Sequence, residues 1–215
     1  MLAQEGIMIF RKLKKEDIPT LAEICGESFG LDCYSDRADK RSAIYLNYFC
    51  GYLKKCNYAV AAENEKGEVV GVLLADIPGI KKDDRLARYA SKTALKCVLP
   101  ILFTKHGYLY FVYKKRIERI DRRLFGHIDA KTELMILAVA KEERMKGVAR
   151  EMMERFTAEA AKTGEKRYFL YTDSYCDVEY YRERGYVEAA SEKTVFADGE
   201  DSMFYIFTKE IGDGQ

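Results

Sequence analysis

Along the chain, apolar positions switch between continuous runs, strict alternation and helical spacing, and each switch marks an element. The most telling switch lies in residues 133–161. An apolar run over 134–140 is followed by a charged turn over 141–146. Gly147 then opens a stretch with apolar residues at Val148, Met152, Phe156 and Ala160. The run is a strand and the later spacing is helical, so the unit is strand, basic glycine turn, helix. A helix start with free N–H groups and a glycine beside it is suited to a phosphate.

The rest of the pattern fills in around that unit. Residues 7–13 predict a short strand. Ile18, Leu21, Ile24 and Cys25 predict a helix with Asp17 as its N-cap and Pro19 in its first turn, followed by a loop over 26–32. Ile44, Tyr45, Tyr48, Phe49 and Tyr52 form the apolar side of a helix over about 36–53. Strands at 58–63 and 69–75 are joined by the hairpin signature Asn64-Glu65-Lys66-Gly67. Between 80 and 127 alternation stops. Leu86, Tyr89, Thr93 and Cys97 suit one helix, Pro100 breaks it, and Leu109, Tyr113, Ile117, Ile120 and Leu124 suit another that Gly126 closes. This segment reads as a helical insertion within a single domain spanning 1–215. Two roles stay open for it: a solvated helix pair covering one sheet edge, or a basic surface for an anionic ligand. After Gly164 come a strand over 167–172, a short helix over 175–184 closed by Gly185, and two strands, 186–196 and 203–209, joined around Asp198-Gly199.

Composition narrows the function classes. The 215 residues are 48% apolar and carry a net charge of only +1, so the total makes no case for a nucleic-acid partner. Charge is unevenly placed, however: residues 81–123 hold thirteen Lys/Arg against four Asp/Glu, leaving the remainder net acidic. The six cysteines form no Cys-x-x-Cys pair and only His106 and His127 accompany them, so no metal is expected. They read as free thiols in a cytoplasmic protein. The longest apolar stretch, 94–113, is interrupted by Lys96, Pro100, Lys105 and His106, and no membrane segment is expected. Cys176 reads as a buried thiol rather than a nucleophile, and the tyrosines of 45–58 and 108–113 as packing groups that could also line a pocket.

Two motifs on successive elements give the chain a resemblance. The turn Arg144-Met145-Lys146-Gly147-Val148-Ala149 matches Gln/Arg-x-x-Gly-x-Gly/Ala through Arg144, Gly147 and Ala149, and Tyr181-x-x-x-Gly185-Tyr186 follows on the later helix. In that order the chain resembles the GCN5-related N-acetyltransferase (GNAT) superfamily over about 5–76 and 130–210, and is closest to members with a helical insertion between strands three and four. Ser174 stands where the family often has Asn, and Ala149 replaces a frequent glycine.

The resemblance implies an α+β fold, a mostly antiparallel mixed sheet flanked by helices, and acetyl-CoA as co-substrate. It implies cofactor contacts at Leu137, Ala138 and Val139, where an exposed strand backbone would pair with the pantetheine arm, at 144–149 for the pyrophosphate (Arg144, Met145, Lys146, Gly147, Val148, Ala149), and at Ser174. Tyr181 would donate a proton or a hydrogen bond to the leaving thiolate, and Glu133, or a water, would take the amine proton. Strand-end ion pairing with a lysine is the alternative for Glu133. The expected partner is a small-molecule or peptide amine, and the expected state a monomer or homodimer. The acidic residues Glu27, Asp32, Asp36 and Asp39 argue for a cationic acceptor, and the basic insertion argues for an anionic one. A non-catalytic acyl-CoA-binding module of the same fold remains the alternative to an enzyme.

Overall fold

The computed structural model describes residues 8–174, 176, 178–195 and 201–212. The predicted turn around Asp198-Gly199 lies outside the described residues. In chain order the elements are β1 (Ile9–Lys12), α1 (Ile18–Ser28), α2 (Ala38–Leu53), β2 (Tyr58–Glu63), β3 (Val69–Asp76), α3 (Asp84–Val98), α4 (Lys105–Leu124), β4 (Thr132–Val139), α5 (Val148–Lys162), β5 (Arg167–Asp173), α6 (Val178–Glu183), β6 (Val187–Val195) and β7 (Asp201–Glu210). The strands form one sheet in the order β1-β2-β3-β4-β5-β7-β6, antiparallel except where β4 meets β5. This is the expected α+β architecture.

Helices cover both faces. Phe156, Met152 and Ala160 of α5 are buried with Leu73, Leu134 and Phe207 on one side. On the other, Leu21 and Cys25 of α1 and Ile44 and Phe49 of α2 are buried with Val72, Leu74 and Ile136. Helix α1 runs three residues further than its apolar pattern suggests. Gly26 lies inside it because the Tyr45 ring packs where a β-carbon would stand, 2.3 Å from that position. Asp17 precedes α1 but does not cap it with its side chain. Its carboxylate instead accepts from the Arg11 guanidinium at 2.7 Å and the Lys14 N–H at 2.7 Å, tying β1 to the helix entry.

The insertion roofs α2 and also covers the β7–β6 edge of the sheet, where Ile120 and Leu124 of α4 are buried with Phe204 and Ile206 and Arg123 pairs with Glu192. Buried Asn47 of α2 donates to the Ala94 carbonyl of α3 at 2.9 Å and accepts from the Tyr110 hydroxyl of α4 at 2.9 Å. His106 Nδ1 lies 2.8 Å from the Tyr34 carbonyl, fixing the start of α4 to the loop before α2. A buried polar residue with all its partners specifies one docking geometry, so α3 and α4 sit over α2 in a single register.

Candidate active site

The site is built where two strands part company. β4 pairs with β5 only at Thr132–Tyr168, Glu133–Phe169 and Leu134–Leu170. Beyond that, β4 keeps its pairing with β3 as far as Val139, while β5 keeps its pairing with β7 as far as Asp173. The backbone of β4 from Met135 to Val139 therefore presents an edge toward the gap, and an edge offers N–H and C=O groups to an amide-bearing ligand.

A bulge aims the side chains along that edge. Leu74 of β3 faces Ile136 and Ala75 faces Leu134, which leaves Met135 as the extra residue. Met135 and Ile136 both pack on the α2 side, whereas Leu134, Leu137 and Val139 pack on the α5 side. Re-aiming of this kind is what a bulge does beside a site. Glu133, opposite in parity to Leu134, points to the α2 and α4 side.

At the end of β4 the chain turns into α5. Met145 has φ 64° and Gly147 φ 80°, and Met145 is the one non-glycine with positive φ among the described residues. A left-handed methionine costs about 1 kcal/mol, and its side chain is fully exposed, so packing does not offset the cost. Such an outlier points to a use for the turn's backbone. The first bond of α5 is from the Glu151 N–H to the Gly147 carbonyl, so the amides of Val148, Ala149 and Arg150 precede the helical ladder. The side chains of the turn are otherwise engaged. Arg144 donates to the Val139 carbonyl and to Ser28 Oγ, each at 3.0 Å, and Lys146 pairs with Glu143 at 2.9 Å. The anion-binding capacity of the turn therefore rests first on its amides and helix dipole.

A cavity of about 650 Å³ opens from the gap between β4 and β5 under α2 and α4. Its walls include Leu137 and Tyr181 at the strand gap and Glu133, Asp121, Tyr52 and Tyr113 toward the roof. Tyr181 stacks on Phe207 with centroids 5.7 Å apart and meets the Tyr186 ring edge-on at 5.2 Å. Burial raises its phenol well above the ordinary range, so the proton is held. Burial, with a smaller contribution from Asp76, raises the Glu133 carboxyl to about 7 against the opposing pull of Lys55. Among the described residues Glu133 forms no salt bridge, which departs from the strand-end ion pair considered for it. Burial also raises the Cys176 thiol, which disfavours a thiolate nucleophile there.

The structure thus brings Glu133, Leu137 and Tyr181 to one cavity and sets residues 144–149 at the end of the same strand. It does not bring Ser174 there: its hydroxyl lies 2.8 Å from Ser202 Oγ and accepts from the Met203 N–H at 3.1 Å. Glu27, Asp32, Asp36 and Asp39 are exposed and do not line the cavity, so the acidic groups facing it come from elsewhere. One of them, Asp121, escaped the sequence reading. The signal was present: Asp121 follows Ile117 by four residues and precedes Leu124 by three, which places it on the apolar side of an otherwise basic helix.

Residues 103–199, from the start of α4 through β6, match the sequence model of the acetyltransferase (GNAT) domain. Over those residues the chain is similar to the GNAT acetyltransferase domain. That family transfers acetyl groups from acetyl-CoA to amines. Solved GNAT structures share the fold at low identity. Ard1 from Thermoplasma volcanium is 12% identical, with 95% of this chain and 97% of that one covered at a TM-score of 0.53. A GCN5-related N-acetyltransferase from Rhodopseudomonas palustris is 14% identical, covering 94% of each chain at 0.52. Arylalkylamine N-acetyltransferase 2 from Aedes aegypti is 17% identical, covering 95% and 99% at 0.55. No curated protein matches the chain in sequence. No helix among the described residues is long and apolar enough to cross a membrane.

Proposed function

We propose that this chain is a GNAT-type, acetyl-CoA-dependent N-acetyltransferase that moves the acetyl group directly to an amine within a ternary complex. The observation that carries the proposal is the parting of β4 from β5 after Leu134, which opens onto a cavity holding both a carboxyl titrating near neutrality and a protonated phenol. In this reading the amides of 147–149 hold the pyrophosphate, and the β4 edge at Leu137, Ala138 and Val139 pairs with the pantetheine amides. An N–H of that edge polarises the thioester carbonyl.

The steps follow from the groups present. An amine enters as ammonium and must lose a proton to attack. Glu133, directly or through a water, accepts that proton, and a base poised near pH 7 suits the task. The amine nitrogen bonds to the thioester carbon and the carbon–sulfur bond breaks. Tyr181, its proton held, donates a hydrogen bond to the departing thiolate, which leaves as coenzyme A. The alternative, a binding module without catalysis, would keep the turn and the strand edge yet have no use for the two poised groups.

The test is Tyr181→Phe. We expect kcat for coenzyme A release to fall about 100-fold, while the acetyl-CoA Kd measured by calorimetry changes less than about twofold. Unchanged kcat would remove Tyr181 from the mechanism. Acetyl-CoA binding with no release across a broad amine panel would favour the module.

A further inference from the structure

The sign of the acceptor is written in the roof of the cavity. α4 is strongly basic, yet its basic residues Lys115, Arg119, Arg122 and Arg123 are exposed. Toward the cavity it turns Tyr110, Tyr113, Ile117 and Asp121, together with Lys114, Glu118 and Arg122. Arg122, and Lys54 and Lys55, which also line the wall, are exposed, whereas Asp121 is not. Asp121 Oδ1 is sealed from solvent and accepts no hydrogen bond, and Asp121 forms no ion pair among the described residues. A buried carboxylate oxygen without a donor is costly and calls for an explanation. The nearby cation of the same helix does not supply one: Lys114 Nζ is directed to Asn47 Oδ1 at 3.3 Å. Lys55, at the end of α2, is exposed and acts on Asp121 only at a distance.

Around this carboxyl the walls are rings. Tyr48 and Tyr52 of α2, Tyr113 of α4 and Tyr171 of β5 line the cavity. The Tyr171 hydroxyl donates to the backbone carbonyl of Asp121 at 3.0 Å, which fixes that turn of α4 against β5. Aromatic faces attract a cation and pack an apolar body, and a carboxylate completes such a pocket for an ammonium group. The same cavity holds Glu133, so an amine held by Asp121 stands beside the proton acceptor.

We propose that Asp121, carried by the inserted helix, is the acceptor-binding residue, and that the acceptor is a primary amine, cationic in water, with an aromatic or apolar body and no anionic group. This rests on the N-acetyltransferase reading above and names its substrate class. Asp121 binds the incoming ammonium and Glu133 takes its proton. The insertion then sets specificity: Lys115 and Arg119 face solvent, Arg123 pairs with Glu192 of β6, Lys114 is turned to Asn47, and Arg122 stands at the exposed rim of the cavity.

The experiment compares coenzyme A release with 2-phenylethylamine, with phenylalanine, which adds a carboxylate to the same body, and with glucosamine 6-phosphate. It uses the full chain and Asp121→Asn, with acetyl-CoA affinity measured in parallel. We expect kcat/KM for 2-phenylethylamine to exceed that for the two anionic acceptors by about tenfold or more. In Asp121→Asn its KM should rise about tenfold or more while kcat falls less than about threefold, and Asp121→Glu should recover part of the loss. Preference for either anionic acceptor, or an unchanged KM in Asp121→Asn, would overturn the proposal while leaving acetyl transfer standing. Failure of the wild-type chain to bind acetyl-CoA would overturn the N-acetyltransferase reading, and this proposal with it.

Discussion

The two ends of the site are built from different materials. The turn at 144–149 is exposed and made of backbone: a left-handed Met145, a left-handed Gly147 and helix-start amides. The end beneath α4 is enclosed and made of side chains: Asp121, Glu133 and tyrosines from α2, α4 and β5. A pyrophosphate is the same in every acetyl-CoA, and amides at fixed positions suffice to hold it. An acceptor differs from enzyme to enzyme, and only side chains can encode that difference. The division predicts where substitutions act: at the enclosed end on turnover and choice of amine, at the exposed end on coenzyme affinity.

The largest effect should come from Glu133→Gln, which tests whether the enclosed end does chemistry. We expect kcat to fall about 100-fold. In the wild type, kcat/KM should climb as pH rises through about 7, because the carboxyl must lose its proton to act and burial holds it until then. Lys55, Asp76, Tyr52 and Asp121 face this carboxyl and set that position. The rise near neutrality should be absent from the pH–rate profile of the variant; its persistence would assign it to another group.

Gly147→Val tests the exposed end. A β-branched residue at φ 80° resists the left-handed conformation, and the expected outcome is an acetyl-CoA Kd raised about tenfold. Turnover at saturating acetyl-CoA should hold. A fall in kcat with Kd intact would show that the two ends are not separable. A smaller change, about threefold in Kd, is expected for Arg144→Ala, since Arg144 braces the turn through Val139 and Ser28.

The smallest expected effect is on stability and concerns Asp121. Burial raises its carboxyl to about 7 in the folded chain, against about 4 when unfolded. Between those values the folded state binds more protons, so stability falls as pH rises through that window. Asp121→Asn should therefore raise the melting temperature at pH 8 by a few degrees, corresponding to roughly 1–2 kcal/mol. The gain should shrink toward pH 4. An equal change at both pH values would mean that the carboxyl is not held protonated by burial.

The same division explains what could be read from the sequence. Strand periodicity and the glycine turn are local signals, and they locate the strands and the turn; the exposed edge of β4 is legible only through the resemblance carried by Arg144, Gly147 and Tyr181. The apolar spacing ends at Cys25 and carries no sign that Gly26 continues the helix; the Tyr45 ring packed against it explains its place inside α1. The acidic residues Glu27, Asp32, Asp36 and Asp39 drew attention by clustering in sequence, yet they lie in solvent. Asp121 and Glu133 are twelve positions apart on different elements and meet only because Asn47 docks the insertion over α2. Long-range docking of that kind leaves no periodic trace.

Hydrogen exchange with and without acetyl-CoA tests the central claim most directly, that the freed edge of β4 and the amides at the start of α5 hold one ligand. Added acetyl-CoA should slow exchange about tenfold in two segments together, Met135 to Val139 and Val148 to Arg150. Protection confined to other segments, or to one of the two alone, would contradict it.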